Sequence, residues 1–271
     1  TLDPLPVVSL SLCWDPVTTT DAKPFRLKGG LPVGGTYSGP GISNGSFYPG
    51  IAGVGTQSIF YSYLNGFGCG GNSTQTITVA GPLAFACGNS LLDLRDNKQY
   101  PTVQVGTQCW MSVNLDYGTN VLSSLMQVDN CTAEKYCFND NPLNCSSIGG
   151  LYQWDEVMQF ETAEGYQGFC PPSWHIPTEA EWATLFNFYQ GNGFAGSPLK
   201  FSGYSGFNAL LAGVRFDNVS WNFSNFAALI WSSTEHGPKK AWAHGMNTFD
   251  PSVSYYPSFR SNAFSVRCIK D

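Results

Sequence analysis

The side chains of this 271-residue chain that could do chemistry are nine cysteines, three histidines and a dense set of aromatics late in the sequence. No two cysteines form a Cys-x-x-Cys pair, and with only three histidines the close ligand spacing of a zinc site is missing. The cysteines therefore read as disulfides, which implies an oxidising compartment. His175 stands in Trp174-His-Ile-Pro177 next to a predicted helix start, a place where an imidazole braces a turn rather than acting as a base. His236 and His244 fall on predicted loops with Lys239, Lys240 and Trp242, forming either a ligand-contacting patch or an ordinary solvated loop. Ser232, Ser233 and Thr234 are hydroxyls near His236, but no Gly-x-Ser-x-Gly elbow surrounds them. No catalytic residue, metal site or cofactor is expected, although Asp140, Asp155, Asp217 and Asp250 leave room for a structural ion.

The elements that must hold these side chains divide at about residue 82. Before it, Val8-Ser-Leu-Ser-Leu12, Gln57 to Tyr63 and Thr74 to Val79 alternate with period two, the pattern of half-buried strands. Gly29-Gly30, Gly34-Gly35, Gly39-Pro40-Gly41 and Asn44-Gly45 supply turns between them. A β-sandwich over 1–82 is expected, ended by Ala80-Gly-Pro-Leu83, since proline has no ladder donor. The second domain, 83–271, opens with a turn over Asp93 to Tyr100 and an alternating strand from Thr102 to Trp110. One helix is read from about Gln153 to Phe160. A second starts in a capping box, with Thr178 as N-cap and Glu181 three residues on, and buries Trp182, Leu185, Phe186 and Tyr189 until Gly191 and Gly193 end it. Short aromatic strands follow, through Leu229 to Glu235 and on to a terminal strand Ala263 to Cys268.

Composition narrows the partners. Only 12% of residues are charged and the net charge is −6. Residues 1–86 balance Lys23, Arg26 and Lys28 against Asp3, Asp15 and Asp21, so the acidic excess belongs to the second domain and no basic patch exists for nucleic acid. No apolar run approaches the ~18–20 residues needed to cross a bilayer, and Thr1-Leu-Asp-Pro4 lacks the basic start of a signal peptide, so the chain reads as mature.

Four blocks carry a resemblance. Lys135-Tyr-Cys-Phe-Asn-Asp-Asn-Pro-Leu-Asn-Cys145, Gly149-Gly-Leu-Tyr-Gln-Trp-Asp-Glu156, Cys170-Pro-Pro-Ser-Trp-His-Ile-Pro-Thr-Glu-Ala-Glu-Trp182 and Ser265-Val-Arg-Cys-Ile-Lys-Asp271 resemble the Fibrobacter succinogenes major paralogous domain, a C-type-lectin-like module of secreted bacterial proteins. In the first domain, Gly34-Gly-Thr-Tyr-Ser-Gly-Pro-Gly41, Phe47-Tyr-Pro49, Ala52-Gly-Val-Gly-Thr56 and Gly66-Phe-Gly-Cys69 look like immunoglobulin-like repeats of Bacteroidota surface proteins. The implied fold is an all-β immunoglobulin-like sandwich followed by an α+β C-type-lectin-like domain. The implied disulfides are Cys170 with Cys268, Cys137 with Cys145, Cys87 with Cys109 and, in the first domain, Cys13 with Cys69. Cys131 is then left over, as a buried free thiol, an intermolecular bridge or a sign of different pairing.

The same resemblance bears on function. Related lectin-like folds place ligand contacts late in the chain, which makes His236, Lys239, Lys240, Trp242, His244, Asn247, Tyr255, Tyr256 and Arg260 the binding candidates. Calcium-dependent sugar binding through Glu-Pro-Asn or Gln-Pro-Asp and Trp-Asn-Asp is not expected, because none of these tripeptides occurs. The related formylglycine-generating enzymes use two neighbouring late thiols, and after Cys170 only Cys268 remains. The expectation is a non-enzymatic extracellular protein of a Gram-negative bacterium, structural or adhesive, serving as the repeating subunit of a surface filament. Leu5, Val7, Val8, Leu10 and Leu12 could join copies by completing a neighbour's sheet, or could simply form the first strand of their own sandwich. The alternative is the ligand-binding tip of an adhesin, contacting a glycan or a surface protein.

Overall fold

A computed structural model describes residues 5–201 and 203–271; residues 1–4, on which the reading of a mature start rests, lie outside them. The chain separates into two compact units, Thr1–Ala84 and Phe85–Asp271.

The first unit is built on one long hairpin, Gly55–Leu64 paired antiparallel with Gly70–Ala80. Asn65 closes its tip by accepting the backbone N–H groups of Phe67 and Cys69 on its side chain. Thr36–Ser38 pairs on one side, and Val17–Thr19 runs parallel to Thr78–Ala80 on the other. Two smaller sheets complete the unit: Phe25–Arg26 with Ser46–Phe47 and Ile42–Ser43, and Ser9–Leu10 with Gly30–Leu31. Leu10, Trp14, Leu27, Phe47, Ile59, Tyr61, Ile77 and Val79 form the core. At its margin the Tyr61 hydroxyl accepts from Gly35 N and donates to Pro32 O, and a Cβ at Gly30 would fall on the Tyr61 ring. The expected strands at 57–63 and 74–79 are therefore present. The expected strand at 8–12 shrinks to Ser9–Leu10. Leu10 is buried and Val8 packs on the core, whereas Leu5 (71% exposed), Val7 (88%) and Leu12 (40%) face outward.

One disulfide expectation is overturned here. Cys69 is a free thiol, and Cys13 is disulfide-bonded. The reason is distance along the hairpin. Leu10 O accepts from the side chain of Gln75 and Val17 pairs with Thr78, so Cys13 lies level with residues 75–78. Cys69 sits six or more residues further on, about 20 Å at ~3.3 Å per residue, and a disulfide tolerates a Cα separation of only about 7 Å. Cys131, expected as the odd thiol, is also disulfide-bonded.

In the second unit Ser90–Leu92, Gln99–Val105 and Gln108–Met111 form consecutive antiparallel strands. Ile269–Lys270 continues that sheet and Trp174–His175 ends it. The expected strand from Thr102 to Trp110 is thus a hairpin. Gly106, with φ +58°, lets the chain reverse between Val105 and Gln108, and alternation on both arms reads in sequence like one strand. The larger sheet runs Tyr152–Gln153, Ala263–Phe264, Ala212–Arg215, Ala227–Glu235, Lys240–Asn247, Ser254–Phe259, with Trp221–Ser224 paired to Ala212–Arg215. The expected terminal strand is likewise split. Residues 263–264 belong to the larger sheet and 269–270 to the smaller one, so 265–268 cross between them.

Helices lie at Pro142–Ile148, Trp154–Val157, Glu179–Phe188 and Asn192–Leu199. The capping box at Thr178 and Glu181 is formed in full, and Trp182, Leu185 and Phe186 are buried. The helix expected over 153–160 is only one turn. Two large apolar clusters fill most of the interior. One surrounds Trp154, Trp174, Trp231 and Phe264, and the other Trp110, Trp182, Phe186 and Phe207. Tyr136, Leu151 and Ala263 form a smaller third. Cys87–Cys109, Cys137–Cys145 and Cys170–Cys268 are bonded, as the resemblance implied.

Candidate functional site

The late binding candidates gather on a three-stranded meander, Ala227–Glu235, Lys240–Asn247 and Ser254–Phe259, and its register sorts them by face. Lys240 lies opposite Phe259, Trp242 opposite Pro257, and His244 opposite Tyr255. Side chains alternate along a strand, so these residues share one face, while Ala241, Ala243 and Tyr256 take the other and pack into the core. Burial pushes the Tyr256 hydroxyl up to about 12, in keeping with that inward position. Tyr256 is therefore separated from the other aromatic candidates.

The outward face carries a run of rings. His236 meets Trp242 edge to face at 4.7 Å between centroids, and Trp242 meets Tyr255 at 5.9 Å. Tyr255 is 56% exposed. Further along, the Lys240 ammonium lies 4.8 Å from the Phe259 ring centre, a cation–π contact. Opposite Trp242 the neighbouring strand bulges. Trp231 pairs with Ala243 and Glu235 with Ala241, which leaves Ser232, Ser233 and Thr234 facing a single residue. The bulge aims the Thr234 hydroxyl at the helix start, where it donates to a Glu164 carboxylate oxygen and accepts Glu179 N at 3.1 Å.

His244 is the buried member of this face, 2% exposed, with its ring against Trp182 at 4.7 Å and Phe186 at 5.1 Å. Its Nε2 is 2.9 Å from Glu179 Oε1, and its buried Nδ1 has no hydrogen-bond partner among the described residues. The proton accordingly sits on Nε2 and is donated to Glu179. Thr234, across from Trp242, and His244, the next residue along on its face, thus hold Glu179 by its backbone N–H and by its carboxylate.

The remaining candidates are occupied elsewhere. Arg260 stacks over Trp154 at 4.3 Å and pairs with Asp155 at 3.2 Å and with Glu235. The Asn247 side chain accepts Phe249 N and Asp250 N, and its carbonyl accepts Lys200 Nζ. Lys239 is exposed. Sequence reasoning missed Glu164, Glu179 and Thr234, because only the bulge and the helix position bring them to one another and to His244.

The other titratable groups serve the scaffold. His175 lies 2.5 Å from Asp271 Oδ1 through Nδ1 and 2.9 Å from Glu181 Oε1 through Nε2, so it braces the capping box. Burial opposes ionisation of Glu181, but hydrogen bonds from His175 and from Thr178 outweigh it and hold the carboxyl below its ordinary range. Asp140 accepts Ser123 N and Oγ, both at 2.7 Å. Asp217 offers its backbone N–H to Asn262, and Asp250 accepts Ser252 N. Among the described residues no three His, Cys, Asp or Glu side chains converge to hold a metal ion.

Glu156 is 2% exposed and accepts Glu134 N at 2.9 Å. Burial, with Glu134 and Asp129 nearby, raises it from 4.5 to about 8. In the unfolded chain it ionises near 4.5, so from there to about 8 the folded state alone keeps the proton and stability falls as pH rises. Glu156→Gln keeps the acceptor and removes the titration. Thermal melts should show no gain for the variant at pH 4 and a gain on the order of 2 kcal/mol at pH 8, from ~1.4 kcal/mol per pKa unit discounted for partial solvation. An equal effect at both pH values would refute this account.

Residues 103–270 match the model of the Fibrobacter succinogenes major domain. No curated protein matches the chain, and no solved structure does.

Proposed function

The chain belongs to the Fibrobacter succinogenes major domain family, and on that premise we propose that it is a non-enzymatic extracellular protein of a Gram-negative bacterium that adheres through the outer face of its 227–259 meander. The observation that carries this reading is the outward row of His236, Trp242 and Tyr255. Exposed aromatics with two torsions each give large contact area at low entropic cost. The second unit is read as C-type-lectin-like, supported by helices that pack with the strands of a loop-rich sheet in two apolar clusters, and the first as immunoglobulin-like, supported by its packed β-layers. The disulfide-bonded cysteines fit an oxidising, extracellular setting. The formylglycine-type oxidase reading finds no support, since Cys170 and Cys268 are bonded to each other.

The test uses beads coated with the whole chain, washed over cell surfaces and over extracted surface glycans and proteins. Retention that falls at least tenfold with Tyr255→Ala supports the proposal. Beads that are never retained, or that the variant leaves unaffected, defeat it.

The filament reading has its own observation: Leu5 and Val7 project from an extended segment that is not paired in its own sheet. Such a segment can complete the sheet of another copy. Negative-stain microscopy at high concentration should show fibres that disappear when Val7 is changed to Asp, and particles without fibres under all conditions would remove this reading.

A further inference from the structure

We propose that the ligand of the Trp242 face is an uncharged saccharide, stacked on Trp242 and Tyr255 and held by hydroxyl hydrogen bonds to the carboxylates of Glu179 and Glu164; this rests on the adhesive reading above.

The argument starts from what surrounds the rings. Trp242 touches His236 on one side and Tyr255 on the other, at centroid separations of 4.7 and 5.9 Å. Rings in mutual contact leave no cage into which a cation could insert, and they offer instead a continuous aromatic surface. Such a surface takes the weakly polarised C–H face of a pyranose, with the electron-rich ring under the carbon-bound hydrogens. Apolar partners are served less well, because Thr234 faces Trp242 across the bulge and His244 follows it on the same face, and both are bonded to glutamates. Glu179 is anchored by His244 Nε2 at 2.9 Å, and its backbone N–H is anchored to Thr234 at 3.1 Å. Glu164 is tied to the same Thr234 hydroxyl.

Ionised carboxylates only accept hydrogen bonds. Each anchored oxygen can take a ligand hydroxyl, and charge-assisted bonds of this kind are about twice as strong as neutral ones. The immobilisation has already occurred in the protein, so a ligand does not have to order these side chains on binding. Of the nearby cations, Arg260 is engaged by Asp155 and Glu235 and Lys240 by the Phe259 ring, while Lys239 is exposed on the turn before Lys240. A uronic or sialic acid would bring its carboxylate toward those of Glu164 and Glu179, a like-charge approach that opposes binding. The surface therefore selects neutral over acidic sugars.

His244 is a positioning residue in this scheme. It is buried against Trp182 and Phe186 and acts on the ligand only through Glu179, which its Nε2 bonds.

Native affinity electrophoresis of the intact chain, in gels containing galactomannan, xyloglucan, mixed-linkage β-glucan or polygalacturonate, tests the proposal. Retardation by at least one neutral polymer and none by polygalacturonate is the expected result. Tyr255→Ala, at an exposed position that leaves the fold intact, and Trp242→Ala should each weaken retardation at least tenfold. Glu179→Gln should weaken it several-fold. His244→Phe should match Glu179→Gln at unchanged melting temperature, and His244→Gln, which restores an N–H donor, should recover most of the loss. No retardation by any neutral polymer, or retardation indifferent to Tyr255 and Trp242, overturns the saccharide assignment. If the beads above still adhere, through a protein, the adhesive reading survives that failure; if they do not, both fall together.

Discussion

Arg267→Met is expected to lose on the order of 5 kcal/mol and to leave the second unit largely unfolded at 37 °C, against a typical total of about 5–15 kcal/mol for a domain. Arg267 is fully buried where the chain passes from the larger sheet to the smaller one. Its Nε donates to Asn114 Oδ1 at 2.7 Å, Nη1 to Met111 O at 3.1 Å and to Phe207 O, and Nη2 to Asn208 O at 2.6 Å. No carboxylate is among these partners, and desolvation pushes the guanidinium down to about 9, which still leaves it charged at neutral pH. The charge is thus held by neutral acceptors alone. Methionine would fill much of the volume but would orphan four buried oxygens from two segments, 111–114 and 207–208, each costing roughly 1–3 kcal/mol. Lysine keeps the charge without the planar fork and should recover less than half of the loss. Urea unfolding of the oxidised variants decides the matter. A methionine variant within 1 kcal/mol of the parent, on the order of a single unmade hydrogen bond, would mean that the network contributes nothing.

Removing the Cys170–Cys268 bond, as Cys170→Ala with Cys268→Ala, is expected to cost about 4–5 kcal/mol, more than either other characterised bridge. The chain-entropy model scales with the logarithm of the closed loop. Sequence separations of 98, 22 and 8 for Cys170–Cys268, Cys87–Cys109 and Cys137–Cys145 then give about 4.7, 3.4 and 2.5 kcal/mol. Packing reinforces the first place in the ranking, because Cys170 and Cys268 are fully buried among Trp174, Trp231 and Phe264; for the other two it opposes loop length, since Cys137 and Cys145 are buried and Cys87 only partly so. Denaturation of the three double-alanine variants should reproduce the order 170–268, 87–109, 137–145. If the shortest loop proved the most costly to open, native packing rather than chain entropy would set their contributions.

What could be read in the sequence was local. Thr178 and Glu181 form the capping box they announce, since both partners lie within one turn and need nothing from the rest of the fold. The alternation at 57–63 and 74–79 survives in the long hairpin because a period of two reports the face of a strand wherever that strand lies. Where local rules and tertiary contacts disagreed, the contacts prevailed. Asn192–Leu199 contains Gly193, Gly196 and Pro198, residues that argue against a helix. It forms because Ala195 and Leu199 are buried and Ser197 N reaches Pro251 O, and Gly196 is required, since a Cβ there would collide with Ser252 O.

The same division explains the site. Trp242, His244 and Tyr255 were recognisable as candidates from residue type, but their common face depends on the register of Lys240–Asn247 against Ser254–Phe259. Tyr256, one residue from Tyr255, falls inside for the same reason. Glu164, Glu179 and Thr234 enter only through a bulge and a helix start that lie 55 or more residues apart in sequence from one another's partners. The error at Cys13 and Cys69 is of this kind too, for pairing is settled by distance in space and the hairpin carries Cys69 away from Cys13. Composition, caps and strand periodicity are encoded over a few residues and so belong to the sequence itself. Which thiols meet, which arginine is held by neutral acceptors and which carboxylates Thr234 and His244 hold depend on contacts between distant segments, and only the folded chain decides them.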